Sequence, residues 1–278
     1  MVPAALPLGG AIGMLFALSE GWINALATEE TRGRVIGLYS SIPSLGFATG
    51  PFLLTSTGSA GWPPFLAGLT FVGLSAFALL WARGAAPDLA QEQRASLAGF
   101  AGRAPSLLTV VGVFALFDTA VMALLPVYAF RNGMDEAAAA NAVGVLIIGK
   151  VVLQPVIGWS ADRWSRRRVL LGCALLTAFG GGLVPAATGT LLLWPLLFFW
   201  GAAGFGVYTM ALADLGARFA GPMVVAGAAA FTAMWGVGGM IGPLLGGVAM
   251  AHFGPHGLPL LFGVTFLGLA AAIHSSRS

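Results

Sequence analysis

Charge is what this sequence has least of. Asp, Glu, Lys and Arg make up 8% of its 278 residues, against about 25% in soluble domains, which excludes an ordinary water-soluble globule. Lysine is nearly missing: Lys150 is the single one among 13 basic residues, the others being arginine, a bias that fits a GC-rich bacterial genome. The one cysteine, Cys173, excludes a disulfide framework and a cysteine metal cluster. No Gly-x-x-x-x-Gly-Lys-Ser/Thr run occurs, so the chain itself is not an ATPase. No Ser-His-Asp or paired-carboxylate arrangement suggests an enzyme. His252 and His256 have the spacing of metal ligands, but Gly254 and Pro255 lie between them and break the helix that would align them. Gly236, Gly238 and Gly239 loosely resemble a dinucleotide loop, yet no strand precedes them and Ile241 holds the last glycine position. No metal and no cofactor is expected. The net charge of +3 is carried by loops and is no argument for nucleic-acid binding.

What remains is apolar. Hydrophobic residues are 58% of the chain, arranged in runs of about 20 or more, the length that crosses a bilayer as helix. We read an all-α integral membrane protein with nine spans, near 2–27, 34–55, 62–82, 105–130, 137–160, 168–188, 190–213, 222–250 and 256–274. The first run has no basic start and is too long for a signal peptide. Residues 83–104 are the longest polar stretch and read as a linker between a three-helix bundle, 1–82, and a six-helix bundle, 105–278.

The densest charge is at 158–168, Gly-Trp-Ser-Ala-Asp-Arg-Trp-Ser-Arg-Arg-Arg, a tight loop between two spans. By the positive-inside rule its four arginines mark the cytoplasmic face. Counting spans outward from it puts eleven of the 13 basic residues on that side, with Arg131 opposite and Lys150 inside a span. The C-terminus is then cytoplasmic.

Two spans share a second pattern. Gly46, Gly50 and Pro51 recur as Gly238, Gly242 and Pro243, each 192 residues later. Small residues four apart line one helix face and let another backbone approach, and the proline permits a bend. A constant offset of six spans is what a duplicated six-helix unit would give.

The charged loop resembles the signature loop of the major facilitator superfamily: Gly158, Asp162, Arg163, Arg166 and Arg167 stand at matching positions, while Ser165 replaces the usual glycine. The run from Gly238 through Gly242, Pro243, Gly246 and Gly247 is similar to that family's antiporter motif, with Leu54 and Thr55 replacing the final glycines in the first copy. Glu20-Gly21-Trp22-Ile23-Asn24, Arg32-Gly33-Arg34 and Tyr39 resemble the fourth-to-fifth helix junction of a YcaD-like bacterial branch. The resemblance implies a twelve-helix fold of which this chain holds helices four to twelve. Three explanations stay open: Met1 is an internal start, the gene is truncated, or a separate chain supplies the rest. It also implies secondary transport of a small solute across a bacterial inner membrane by alternating access, with export by proton antiport favoured by the Gly-Pro motif. Asp162, Arg163, Arg166 and Arg167 would act as a cytoplasmic latch. The alternative is a non-transporting remnant or partner subunit.

Ionisable groups inside spans are costly and so mark function by default. Glu20, Asp118 and Lys150 qualify. Asp118 and Lys150 each lie sixteen residues from Met134, hence at equal depth on consecutive antiparallel helices. If they face each other they can pair, either to fix packing or to serve a proton or substrate site. Glu20 has no cationic partner in its own span and shares a helix face with Asn24; it is either a proton carrier or a structural group bonded to neighbouring helices. Gln154 and Tyr208 are cavity candidates or ordinary helix-to-helix hydrogen bonders.

Overall fold

The computed structural model describes residues 2–57, 61–82 and 96–275, with side-chain surroundings described except at 2–9, 47–57, 79 and 82. Every regular element among the described residues is a helix: α1 (Val2–Leu26), α2 (Arg32–Thr57), α3 (Pro63–Ala82), α4 (Leu97–Arg103), α5 (Pro105–Arg131), α6 (Glu136–Arg163), α7 (Arg166–Ala187), α8 (Leu193–Arg218), α9 (Pro222–His252) and α10 (Gly257–Ser275). Helices α5 to α10 are each long and apolar enough to cross a membrane, and the apolar stretches Gly10–Leu26 of α1 and Pro63–Ala78 of α3 are shorter. The nine expected spans coincide with the nine long helices among the described residues to within a few residues. The protein is an all-α, multi-pass membrane bundle.

Turn chemistry sets the helix limits. Gly133, Gly189 and Gly254 take φ of 83°, 82° and 69°, values that L side chains avoid, and each lies in a turn between antiparallel helices. Asp135 caps α6 by accepting from the Ala138 amide at 2.7 Å. Pro105 and Pro222 open α5 and α9, where a missing amide hydrogen costs nothing.

The second half of the polar stretch at 83–104 is more ordered than its composition suggests; 83–95 lie outside the described residues. Ser96 caps α4, and the buried Phe100 packs on Phe219 and Phe231 with ring centroids 5.2 and 6.2 Å apart. One large aromatic holds this short amphipathic turn against α9.

The core lies around α8, whose side chains are buried on nearly all sides. Phe117 of α5 meets Trp200, Phe205, Phe262 and Phe266 edge-on, a favoured ring geometry. The Trp200 indole donates to the Thr177 carbonyl at 2.9 Å. Around this centre α5 packs on α9, α6 on α8 and α2, α7 on α8 and α10, and α1 on α9. Helix α3 touches α2 alone among the described helices and points Phe65, Phe71, Phe77 and Trp81 outward.

Candidate functional site

Two neighbouring polar assemblies contain most of the residues singled out above. The first is inside the bundle. Glu20 of α1 is 3% exposed, and its Oε1 accepts a 2.6 Å hydrogen bond from the Tyr208 hydroxyl of α8. Its Oε2 has no partner among the described residues, nor does Asn24 Oδ1. Asn24, one turn on, uses its amide nitrogen to donate to the Glu20 carbonyl at 3.1 Å. Tyr208 stacks on Phe114 at 4.8 Å between centroids, so its ring is held while its hydroxyl points to the carboxylate. Tyr39 of α2 shares a 2.7 Å hydrogen bond with Ser19, the residue before Glu20.

Asp118 and Lys150 lie on α5 and α6 to either side of the turn around Met134, both half-buried. They interact electrostatically, yet no ion pair within 4.0 Å joins them among the described residues. Asp118 Oδ2 instead accepts from the Trp235 indole of α9 at 2.7 Å, and the Lys150 ammonium sits 3.9 Å above the Phe205 ring centroid. An aromatic partner for each charge softens its burial and leaves both head groups free to exchange contacts. The direct pairing allowed by their equal depth is therefore replaced by two separate aromatic contacts.

Gln154 is fully buried and clamps α6 to α8. Its amide donates to the Ala202 carbonyl at 3.1 Å, and its carbonyl accepts from the Thr209 hydroxyl at 2.6 Å. With its oxygen and nitrogen both engaged, it belongs to helix packing rather than to the open polar group.

The second assembly is at the basic end. Asp162, near the end of α6, accepts from the Gly33 and Arg34 amides at the start of α2, at 2.7 and 2.9 Å, and from Arg34 Nε at 3.3 Å. A carboxylate there satisfies first-turn amides and meets the positive end of the helix dipole. The contact requires close backbones: a Cβ on Gly33 would collide with the Gly158 carbonyl and Asp162, one on Gly158 with the Gly33 carbonyl, and one on Gly37 with the Gln154 carbonyl. Beside it Glu29 Oε1 accepts from Arg166 at 2.5 Å and Oε2 from Arg32 at 2.7 Å. The Arg166 guanidinium holds the Glu29 carboxyl below its ordinary value of 4.5. Arg167 donates to the Ile273 and His274 carbonyls that end α10, at 2.7 and 3.1 Å. Arg163 lies over Trp159 and pairs with no carboxylate among the described residues. Ser165 needs no glycine-like conformation: it caps α7 with φ −72°.

Glycine spacing positions α9. A Cβ on Gly238 would meet Ala115, one on Gly242 would meet Thr119 and Leu116, and one on Gly246 would meet Leu124. The Thr119 hydroxyl donates to the Gly238 carbonyl at 2.9 Å. A Cβ added to Gly247 or Gly46 would have no described atom within 4 Å, so the tight seam with α5 runs through Gly238, Gly242 and Gly246 and leaves out Gly247. Pro243 lies inside α9. Gly50 and Pro51 are on α2, with side-chain surroundings outside the described residues. His256 Nδ1 is 3.2 Å from the Tyr128 hydroxyl.

Sequence reasoning did not find Trp235, Phe205, Phe114 or Glu29 as members of these assemblies. Aromatic side chains are abundant in this chain, and nothing in their spacing separates a charge partner from a lipid-facing group. Glu29 lies in a short exposed turn, where a surface carboxylate is unremarked until Arg166 arrives from 137 residues away.

A profile described as Major Facilitator Superfamily matches residues 107–275, more than half of the chain. The chain is 24% identical over 254 residues to the MFS-type transporter YfkF of Bacillus subtilis, covering 86% of this chain and 63% of YfkF. It is 24% identical over 274 residues to the MFS-type transporter YcaD of Escherichia fergusonii, covering 97% and 70%. It thus spans just under two thirds of the length of YfkF. A crystal structure of the MFS transporter FucP in the outward conformation superposes with a TM-score of 0.73 at 17% identity, over 95% of this chain and 73% of FucP. A second FucP structure, described as the E. coli fucose:proton symporter, gives 0.71 at 18%. On the profile match over most of its length, supported by this shared fold, the chain belongs to the major facilitator superfamily.

Proposed function

We propose that the chain forms the working core of a proton-coupled secondary transporter that moves a small solute by alternating access across a bacterial inner membrane, with its C-terminus in the cytoplasm. The observation that carries this reading is Glu20: a carboxylate buried between α1 and α8, bonded on one oxygen to Tyr208 and, among the described residues, unpartnered on the other. A protonatable group in that setting gains or loses a proton at a large change in local charge. Asp118 and Lys150, half-buried on adjacent helices, supply a second charged locus for solute or proton. Asp162 with the α2 amides, and Arg166 with Glu29, are the latch that holds the basic end closed in one state of the cycle. FucP, a fucose:proton symporter by description, offers a precedent for proton coupling on this fold. The α9 Gly-Pro motif favours export by antiport as the direction.

The test uses proteoliposomes with an imposed pH gradient, an internal pH dye, and L-fucose and ethidium as first probes. A solute-dependent collapse of the gradient is expected in the wild type and absent in Glu20→Gln, with both proteins eluting as folded species. A Glu20→Gln protein as active as wild type would sink proton coupling through this residue.

A second reading rests on α3, whose outward aromatic face meets only α2 among the described helices. It holds that further helices, in the same polypeptide or a separate one, complete the bundle, and that the 278-residue chain alone does not transport. The mass of the native protein, taken through a C-terminal epitope, separates these: a 28.3 kDa species active by itself in liposomes would eliminate the second reading.

A further inference from the structure

At the basic end, the start of α7 and the end of α10 lie side by side. Between them is a half-open cavity of about 480 Å³ lined by Ser165, Arg167, Arg168, Leu171 and His274. We propose that this cavity binds a phosphate group, namely that of an anionic phospholipid headgroup.

The charge arrangement points to an anion. Two described carboxylates at this end are already engaged: Asp162 with α2 and Arg34, and Glu29 with Arg32 and Arg166. Asp214 pairs with Arg218 on α8. Among the described residues neither Arg167 nor Arg168 has a carboxylate within 4.0 Å. Arg167 is held by the Ile273 and His274 carbonyls through one of its terminal nitrogens, which orders the guanidinium while leaving its remaining donors available. The Arg168 guanidinium, exposed, makes no hydrogen bond or ion pair among the described residues. Two planar forks with spare donors match phosphate oxygens bidentately.

The position points to a lipid as the source. Leu176, Phe179 and Leu183 of α7 and Leu260, Val264 and Leu267 of α10 are exposed apolar side chains, as on helices that face acyl chains. The cavity lies where those two helices reach the basic end, the level of the head groups. Leu171, half-buried one turn into α7, gives it an apolar wall suited to the glycerol and upper acyl region. Basic pockets between spans on the cytoplasmic side are established sites for anionic head groups in general.

The experiment is native mass spectrometry of the intact chain in detergent, titrated separately with phosphatidylglycerol, phosphatidylcholine and inorganic phosphate. Phosphatidylglycerol is expected to bind about tenfold more tightly than phosphatidylcholine, a difference of about 1.4 kcal/mol, and Arg168→Gln should abolish the preference. The Arg168 guanidinium bonds to no described residue, so this variant tests the site without disturbing the fold; Arg167→Gln, which also releases the end of α10, should lose the preference and some thermal stability together. Equal affinity for the two lipids, or a preference unchanged in Arg168→Gln, would overturn the proposal. Inorganic phosphate binding that Arg168→Gln removes, without any lipid preference, would assign the cavity to a free anion and overturn the lipid source.

Discussion

Asp162 on α6 accepts a 2.7 Å hydrogen bond from the amide of Gly33, 129 residues earlier in the chain, and thereby caps α2 from outside. A carboxylate in this position contributes both an acceptor and a charge against the helix dipole. Asp162→Asn keeps one acceptor and loses the charge. A weakening of about 1 kcal/mol is expected, enough to shift a closed-to-open ratio about fivefold. Faster labelling of a cysteine placed at Arg34 would report it. An unchanged labelling rate would show that the contact contributes nothing to closure.

The same junction is sensitive to volume. Gly158→Ala sets a methyl group against the Gly33 carbonyl, and backbone has little room to yield. Spin labels at the exposed Leu38 and Trp159 should separate in this variant. Gly172→Ala, where a Cβ would meet nothing within 4 Å, should leave that distance as it is. Equal distances in all three proteins would refute the close-packing account.

Asp118 and Lys150 interact through space without a salt bridge. Removing either charge leaves the other uncompensated in a low-dielectric setting, a penalty of about 1–3 kcal/mol for half-buried groups. The double variant Asp118→Asn with Lys150→Met should therefore be more stable than the sum of the singles indicates. Thermal melts of the four proteins form the cycle, and strict additivity would mean that the charges are energetically independent.

Glu29 gives a pH signature. Its carboxyl titrates below the ordinary 4.5 because Arg166 bonds and attracts the ionised form. A depressed pKa means stabilisation present above the unfolded value and lost as pH falls through the folded one. The stability difference between wild type and Glu29→Gln should hold from neutral pH down toward 4.5 and vanish in more acid solution. It should also shrink at high salt, since the pair is exposed. A difference that grows on acidification would contradict the assignment.

The α9 glycines make a paired prediction. Gly247→Ala faces open space and should be neutral or stabilising, because alanine is the better helix former by about 1 kcal/mol. Gly238→Ala meets the Cβ and backbone of Ala115 and should destabilise despite the same gain in propensity. Similar melting temperatures would show that α5 and α9 are not closely packed there.

Some of this protein is written in the chain itself. The apolar runs and the turn residues between them determine the long helices, because backbone polar groups in a bilayer must bond within the segment. The charged loop at 158–168 and the repeated Gly-Pro pattern identify the family, because both depend on local spacing. Glycines 238, 242 and 246 mark a close helix contact for the same reason. Position in the sequence also places Asp118 and Lys150 sixteen residues to either side of Met134 on consecutive helices. Tertiary structure alone decides their partners. Rotation about each helix axis brings Trp235 to Asp118, Phe205 to Lys150 and Tyr208 to Glu20, and that rotation is set by packing against several neighbours at once. Likewise the loop predicts positive charge at one end, but only the approach of Gly33 to Gly158 makes Asp162 a cap for α2. Sequence spacing specifies faces and depths within one helix; which faces meet is a property of the whole bundle.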